Sequence, residues 1–385
     1  RLDRAWPRTR VVAIDWGPWA ATGMVSPEVA RRFAERGVDL IPVEVGARRL
    51  VDELLHGRKG ESEVVIAGGS SLPWADAAPA ARCDEGEERP APAILAVATE
   101  LDAPSPGRAE AVRHLQLDVD RYLDDHRLDD VPVLPFAGAL ELMAAAAQVA
   151  RPDLTVTALE DVRLHQGVTL PEPVTLRIAA EPAHGDGDGA AARFEVTLTP
   201  EGQPRPSYQA AVTLAAASPA PRPAEPPAGL PASPVSAEEA YRDLLFHGPA
   251  FQGIEAIEAL GPQGAIARLR ASAPSDCLAG LAGGDWLLDP VLIDCALQMQ
   301  VVWARTHWDI TPLPSSLGAL RRYGPAPAPG EVVRHELRLQ PTSRPPMCTA
   351  DHQLYGADGR LIATLTGMLG VGSRALNRLA GSVTA

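Results

Sequence analysis

Hydrophobic and polar positions divide the chain into three parts. Residues 10–16, RVVAIDW, form a continuous apolar run, which fits a strand buried on both faces. A glycine-containing turn follows. Ser26-Pro27 then reads as an N-cap and first helical residue, and a helical pattern covers Pro27–Arg36 up to Gly37. Residues 44–56 repeat this reading with Gly57 as the stop, and Glu63–Ala67 (EVVIA) returns to strand. The result is a βααβ fragment, too small to bury a full α/β core. Residues 70–109 are rich in Pro, Ala and charge and read as a linker. A second Pro-rich stretch, 216–236, separates two comparable halves, about 110–215 and 237–372. Each half places one helical segment, Phe136–Ala150 or Asp294–Arg305, among runs of strand character such as PVTLRIAAE, ARFEVTLTP, VVRHELRLQP and RLIATLTGMLG. Ala357-Asp358-Gly359 supplies a tight turn between the runs TADHQLYG and RLIATLTGMLG. The pattern predicts an α+β protein in which an antiparallel sheet wraps an embedded helix, twice, with residues 373–385 as a tail.

Length and composition add limits. The chain has 385 residues, enough for two or three domains. Its net charge is −14, and Lys and Arg cluster only in short pieces such as Arg31-Arg32 and Arg321-Arg322. A nucleic-acid footprint is therefore not expected. Cys83, Cys277, Cys295 and Cys348 are far apart with no C-x-x-C, which argues against a zinc site or a disulfide framework and for a reducing cytoplasm. No apolar run approaches the roughly 20 residues that span a bilayer, so no membrane association is expected. The first residues do not suit a signal peptide, and the lack of a starting Met suggests a piece of a longer chain.

Four constellations could carry chemistry. His126 opens HRLDDVPVLP, ending at Pro135, immediately before the Ala-rich helix. A histidine at a helix entrance, facing a cavity, can act as a general base, although most histidines are surface or hydrogen-bonded core residues. Asp294 and Gln298, four apart, share one helix face, so the amide can hold the carboxyl. The apolar neighbours of Asp294 would raise its pKa toward that of a useful acid; alternatively, Asp294 is the N-cap of the helix. Phe246-His247-Gly248-Pro249-Ala250-Phe251-Gln252-Gly253 combines turn formers with aromatics and could equally be a loop that plugs a core. Leu313-Pro314-Ser315-Ser316-Leu317, followed by Tyr323, could equally be an ordinary strand entrance. A G-x-S-x-G elbow, a Walker loop, H-E-x-x-H and a G-x-G-x-x-G after a strand are all missing. The HGDGDG run at 184–189 reads as a solvated loop, and no metal site is expected.

In this order the elements resemble the dehydratase domain of type I polyketide synthases, a double hotdog fold, over roughly residues 110–372. His126 and Pro135 match the family's H-x-x-x-G-x-x-x-x-P, with Asp130 at the glycine position. Asp294 and Gln298 match D-x-x-x-Q, led by Asp289-Pro290. His247 to Gly253 resembles Y-G-P-x-F-Q-G with histidine in place of tyrosine, and Leu313-Pro314-Ser315-Ser316 resembles L-P-x-S. Residues 10–68 resemble the end of a ketoreductase, an α/β Rossmann-like fragment, through IDWGPW (Ile14–Trp19) and Gly23-Met24. That piece lacks the dinucleotide-binding glycines and the catalytic Ser, Tyr and Lys, so NADPH belongs only to a complete ketoreductase. A ketoreductase ahead of a dehydratase resembles the order in enediyne-type iterative synthases; synthases of polyunsaturated or glycolipid acyl chains are related alternatives.

The resemblance implies a substrate class: a 3-hydroxyacyl thioester on the phosphopantetheine of an acyl carrier domain, dehydrated to the 2-enoyl thioester without a further cofactor. It also implies roles. His126 would be the base and Asp294, held protonated by apolar surroundings, the acid. Gln298 would orient Asp294. Pro135, Gly138, His247, Gly248, Pro249, Phe251, Leu313 and Pro314 would shape the substrate site, with Gly138 allowing close approach to the helix start. Partners would be the carrier and other domains of the same synthase and a second copy in a homodimer. A cyclase or double-bond isomerase on the same scaffold, or an inactive docking and dimerisation domain, are the rival readings.

Overall fold

Strand periodicity decides which side chains face inward. In Ala191–Pro200, Ala192, Phe194, Val196 and Leu198 are buried and alternate with more exposed residues, the signature of a sheet with one packed face. The computed structural model describes residues 12–16, 19–20, 40–56, 63–66, 92–105, 108–183, 191–281 and 283–380. The expected helix at Pro27–Arg36, Gly23-Met24 and the HGDGDG loop lie outside them. Two compact units are present, Arg1–Glu88 and Arg89–Ala385.

In the first unit, β1 (Ala13–Trp16) and β2 (Glu63–Ile66) run parallel in register Ala13↔Glu63 to Trp16↔Ile66. Helix α1 (Val43–His56) lies between them in sequence, as its apolar periodicity predicts.

The second unit is built on two long helices. α2 (Phe136–Ala150) is buried at every residue except Val149; its run of alanines leaves room for strands to approach closely. It packs against β4 (Arg108–Leu115), β7 (Thr155–Leu164), β8 (Val174–Pro182), β9 (Ala191–Pro200) and β10 (Tyr208–Ala215). After α3 (Ala237–Asp243), the second half repeats the scheme. α4 (Pro290–Trp308) packs against β11 (Ile254–Gly261), β12 (Gly264–Arg270), β13 (Thr311–Arg322), β14 (Val332–Leu339) and β15 (Met347–Tyr355), with β16 (Leu361–Ser373) in the same sheet. β3 (Thr99–Ser105) closes one edge. The strand order is β11-β12-β14-β15-β16-β13-β7-β10-β9-β8-β4-β3.

Two separate sheets were expected. Instead β7 and β13 pair antiparallel, Leu159 opposite Leu320 and Arg163 opposite Ser316, and fuse both halves into one 12-stranded sheet. The two embedded helices also pack on each other. A buried carboxylate ties the halves at that junction: Glu141 of α2 accepts the backbone N–H groups of Leu287 (3.1 Å) and Leu288 (2.7 Å), just ahead of α4.

Three boundaries differ from the sequence reading. The linker does not extend to residue 109, because Ala93, Ile94 and Leu95 are buried in the core and β3 pairs with β4. The Pro-rich character of 70–92 hides the apolar run ILAVATEL that follows. α4 begins at Pro290, not Asp294, because Asp289 is its N-cap; Asp289 Oδ1 accepts from Val291 and Leu292, each at 3.0 Å, so Asp294 has no capping role. Residues 374–379 are not a free tail: they form a 3₁₀ turn whose Leu379 is buried and whose Asn377 bonds Asp309 and Thr311.

Candidate active site

His126 follows the 3₁₀ turn Arg121–Asp125 and is buried. Its Nδ1 lies 2.8 Å from the Val133 carbonyl. A carbonyl only accepts, so Nδ1 carries the hydrogen and Nε2 keeps its lone pair. The ring is fixed from behind by the two-stranded ribbon β5 (Arg127–Leu128) and β6 (Val131–Pro132). The loop of that ribbon, Asp129-Asp130, has φ of +48° and +65°, the positive values that type I′ hairpins require at both central residues. Glycine adopts such values without strain, and Asp is among the few other residues that tolerate them. Asp130→Val is expected to lower stability by ~1–2 kcal/mol, whereas Asp130→Gly is not; urea melts of the two variants check this.

The opposing loop is held to His126 by its neighbour. The Asp125 carbonyl accepts from Gly248 N (2.8 Å) and its Oδ2 from Ala250 N (2.8 Å). Gly248 is required here because a Cβ would sit 2.3 Å from Asp125 Oδ1. This clamp places His247 beside His126, ring centroids 5.3 Å apart, with the His247 ring stacked on Phe246 at 4.0 Å. Phe251 packs its ring on His126 (5.5 Å).

Asp294 comes from the first turns of α4. Gln298, one turn on, donates from Nε2 to Asp294 Oδ2 (2.8 Å) and to the Phe251 carbonyl (3.0 Å), while its Oε1 accepts from the Tyr241 hydroxyl (3.1 Å). His247 Nε2 lies 3.2 Å from the same Asp294 Oδ2. His126, His247, Asp294 and Gln298 therefore face one cavity of about 240 Å³, closed by apolar residues including Phe136, Leu297, Leu313 and Pro314. Gln300 also reaches it; His352 Nε2 lies 3.2 Å from Gln300 Oε1, and behind it His352 bonds the equally buried His335.

Burial pushes His126 down to about 4, only partly opposed by the Asp294 charge, so the imidazole is neutral over the ordinary pH range. For Asp294, burial raises the pKa, while His247 beside it and the hydrogen bonds from His247 and Gln298 lower it, and the net direction is below its usual value. The chain neighbours of Asp294 are apolar and favour its protonated form, whereas its spatial partners His247 and Gln298 favour the ionised one.

Of the sequence-predicted residues, His126, Asp294, Gln298, His247, Leu313 and Pro314 line the cavity. Pro135 is the N-cap residue of α2. Gly248 and Pro249 shape the clamp. Phe251 contributes its carbonyl and ring from behind. Gly138 is not among the lining residues; a Cβ there would meet the Leu134, Pro135 and Tyr122 side chains. Asp125, Tyr241 and Gln300 were missed. No metal was expected, yet the ligand atoms of His126, His247 and Asp294 lie within 4.8 Å of one another and could hold one. No helix among the described residues is long and apolar enough to cross a membrane.

Two family models match the chain: "Polyketide synthase dehydratase domain" over residues 97–199 and "Polyketide synthase dehydratase N-terminal domain" over 218–374. One polyunsaturated fatty acid synthase polypeptide, from Thraustochytrium sp., is 28% identical over 321 residues, 82% of this chain. The chain spans about a tenth of that relative, 10% of its length. Among solved structures, the dehydratase domain from the CurJ module of curacin polyketide synthase is 18% identical with a TM-score of 0.55, covering 73% of this chain and 96% of that one. A trans-AT polyketide synthase dehydratase domain from Brevibacillus brevis is 20% identical with a TM-score of 0.56, covering 73% and 99%. These likenesses show the fold, the double hotdog.

Proposed function

We propose, for a chain that over residues 97–374 belongs to the polyketide synthase dehydratase family, that the substrate is a 3-hydroxyacyl thioester carried on the phosphopantetheine of an acyl carrier domain. The observation that supports this most is the meeting of an imidazole from the first half and a carboxyl from the second in a single cavity. The thioester acidifies C2. His126, neutral and with Nε2 bare, removes the C2 proton, and Asp294, oriented by Gln298, serves the departing C3 hydroxyl. Phe136 lines the cavity, so the first turn of α2 ends beside it, where N–H groups without intrahelical acceptors can polarise the thioester carbonyl. The mostly apolar wall suits an acyl chain and excludes water from the developing enolate.

The same reading assigns the carrier and neighbouring synthase domains as partners, with a second copy of the chain as a dimer partner. It assigns residues 1–69 to the end of a ketoreductase, supported by the parallel β1–β2 pair and by IDWGPW. The dehydratase needs no cofactor in this scheme.

Turnover tests it: the purified chain, incubated with a 3-hydroxyacyl group on a carrier domain, should yield a carrier lighter by one water in mass spectrometry. A carrier of unchanged mass at long times contradicts the proposal. A pH dependence also follows. The base must be unprotonated, so activity falls only as pH drops through the folded value of about 4. The expected kcat/KM therefore shows no acidic limb near the ordinary histidine value of about 6.5; initial rates between about pH 5.5 and 7.5, roughly one unit either side of that value, check this.

A further inference from the structure

Among the described residues, one group of three His, Cys, Asp or Glu side chains brings its ligand atoms within 4.8 Å of one another: His126, His247 and Asp294, all buried. The donor set is two imidazoles and a carboxylate. Borderline first-row divalent cations, zinc above all, take this combination, whereas magnesium and calcium prefer oxygen throughout. His247 Nε2 and Asp294 Oδ2 stand 3.2 Å apart. Two ligands at about 2.1 Å on a tetrahedral zinc ion are separated by roughly 3.4 Å, so this pair already has the spacing of one edge of a zinc site. The other separations reach at most 4.8 Å, so His126 closes on the pair by on the order of 1 Å when an ion binds.

Each ligand has support behind it, which a chance cluster lacks. His126 Nδ1 lies 2.8 Å from the Val133 carbonyl, which fixes the hydrogen there and leaves Nε2 bare. Metal-bound histidines are held in this way, by a carbonyl or carboxylate on the other ring nitrogen. Asp294 is held by Gln298 at 2.8 Å. His247 Nδ1 is buried without a hydrogen-bond partner, so the hydrogen that the ring directs at Asp294 can move to that nitrogen and free Nε2 for the metal. No proton needs to leave the site. The fourth position opens on the cavity of about 240 Å³, which has room for a water, the arrangement of zinc sites with three protein ligands.

We propose that His126, His247 and Asp294 form a zinc site whose occupation opposes dehydration. The ion takes the Nε2 lone pair of His126, and the base can no longer reach C2 of a substrate. Binding is independent of the dehydratase reading; its effect on turnover rests on that reading. The dehydratase motif carries tyrosine where this chain has His247. A phenol keeps its proton up to about pH 10, so the imidazole is what completes a three-ligand set here.

The test uses the full chain, freed of metal with a chelator and titrated with zinc chloride alone. Binding is followed by competition against a chromophoric chelator, and with cobalt(II) in place of zinc by visible absorption. One equivalent of zinc should bind more tightly than any other, cobalt should show the intense bands of a four-coordinate ion, and magnesium chloride should not compete. Loss of a mere supporting partner costs about 10–100-fold in metal affinity. His247→Phe and Asp294→Asn each remove a ligand and should weaken this equivalent by about 100-fold or more. Two variants on different elements keep the comparison valid if one of them melts early. On a 3-hydroxyacyl pantetheine thioester, turnover by the unaltered chain should fall in step with occupancy of that equivalent and return with excess chelator. Zinc bound equally tightly by both variants, a six-coordinate cobalt spectrum, or full turnover at full occupancy overturns the proposal. No turnover by the metal-free chain overturns the dehydratase reading and the inhibitory role with it, while the zinc site itself is decided by the binding data.

Discussion

His126→Ala is expected to lower kcat for dehydration by ~10²–10⁴-fold, the range that a positioned general base contributes, with KM little changed. The argument rests on three observations. The ring is held by the Val133 carbonyl through Nδ1, so Nε2 is the basic atom. Burial holds the imidazole unprotonated. It stands in the same cavity as Asp294, so one substrate can touch both. The substitution opens space beside a cavity rather than inside the packed core, and the Val133 carbonyl can bond water that enters. Near-native thermal melting is expected, and far-UV circular dichroism should be unchanged. Asp294→Asn should approach the same loss, because the amide still accepts from Gln298 but cannot exchange a proton with the departing hydroxyl. Steady-state kinetics of both variants on a 3-hydroxyacyl thioester check the claim, and native rates would refute the assigned roles.

Arg113→Met is expected to be the most destabilising of the changes considered, by ~3–5 kcal/mol, the cost of leaving one member of a buried ion pair without its partner. Arg113 occupies an inward position of β4, between Ala111 and Leu115, and is fully buried. Its guanidinium pairs with the Asp120 carboxylate and also donates to the carbonyls of Ile94 (3.1 Å) and His114. Burial pushes the Asp120 pKa up and the Arg113 charge pulls it back; without Arg113 only the Gln116 backbone N–H still opposes burial. The consequence reaches the site, because Asp120 is the residue from which the 3₁₀ turn leading to His126 starts. Replacing both residues, Arg113→Met with Asp120→Leu, should recover most of the stability, since no uncompensated charge is then buried. Urea unfolding midpoints of the single and double variants measure this.

The elements were legible where one physical rule dominates. Alternation marked the strands, and the alanine run marked α2 as a helix packed on all sides. The turn at Ala357-Asp358-Gly359 was legible because Gly359 adopts φ +79°. The single continuous sheet was not, because β7 and β13 meet across about 150 residues of chain and nothing in either strand marks its partner.

In the site, His126, Asp294 and Gln298 were legible through spacing, since i and i+4 on a helix must share a face. Asp125, Tyr241 and Gln300 were not. Their partners are backbone atoms or side chains brought near by the fold, and no residue type in the sequence announces that. The polar surroundings of Asp294 were not legible for the same reason: its sequence neighbours Ile293 and Cys295 are apolar, whereas His247 and His126 reach it only in three dimensions. Asp130 was legible as a departure, and its positive φ is the physical reason that glycine suits the position.

The most direct test of the paired His126 and Asp294 centre uses a 3-hydroxyacyl thioester carrying deuterium at C2. Incubated with the unaltered chain and followed by mass spectrometry, it should lose one deuterium together with the hydroxyl, show a primary isotope effect on the rate, and remain intact with His126→Ala. Loss of the hydroxyl with both C2 deuteriums retained, or equal loss with His126→Ala, would contradict the account.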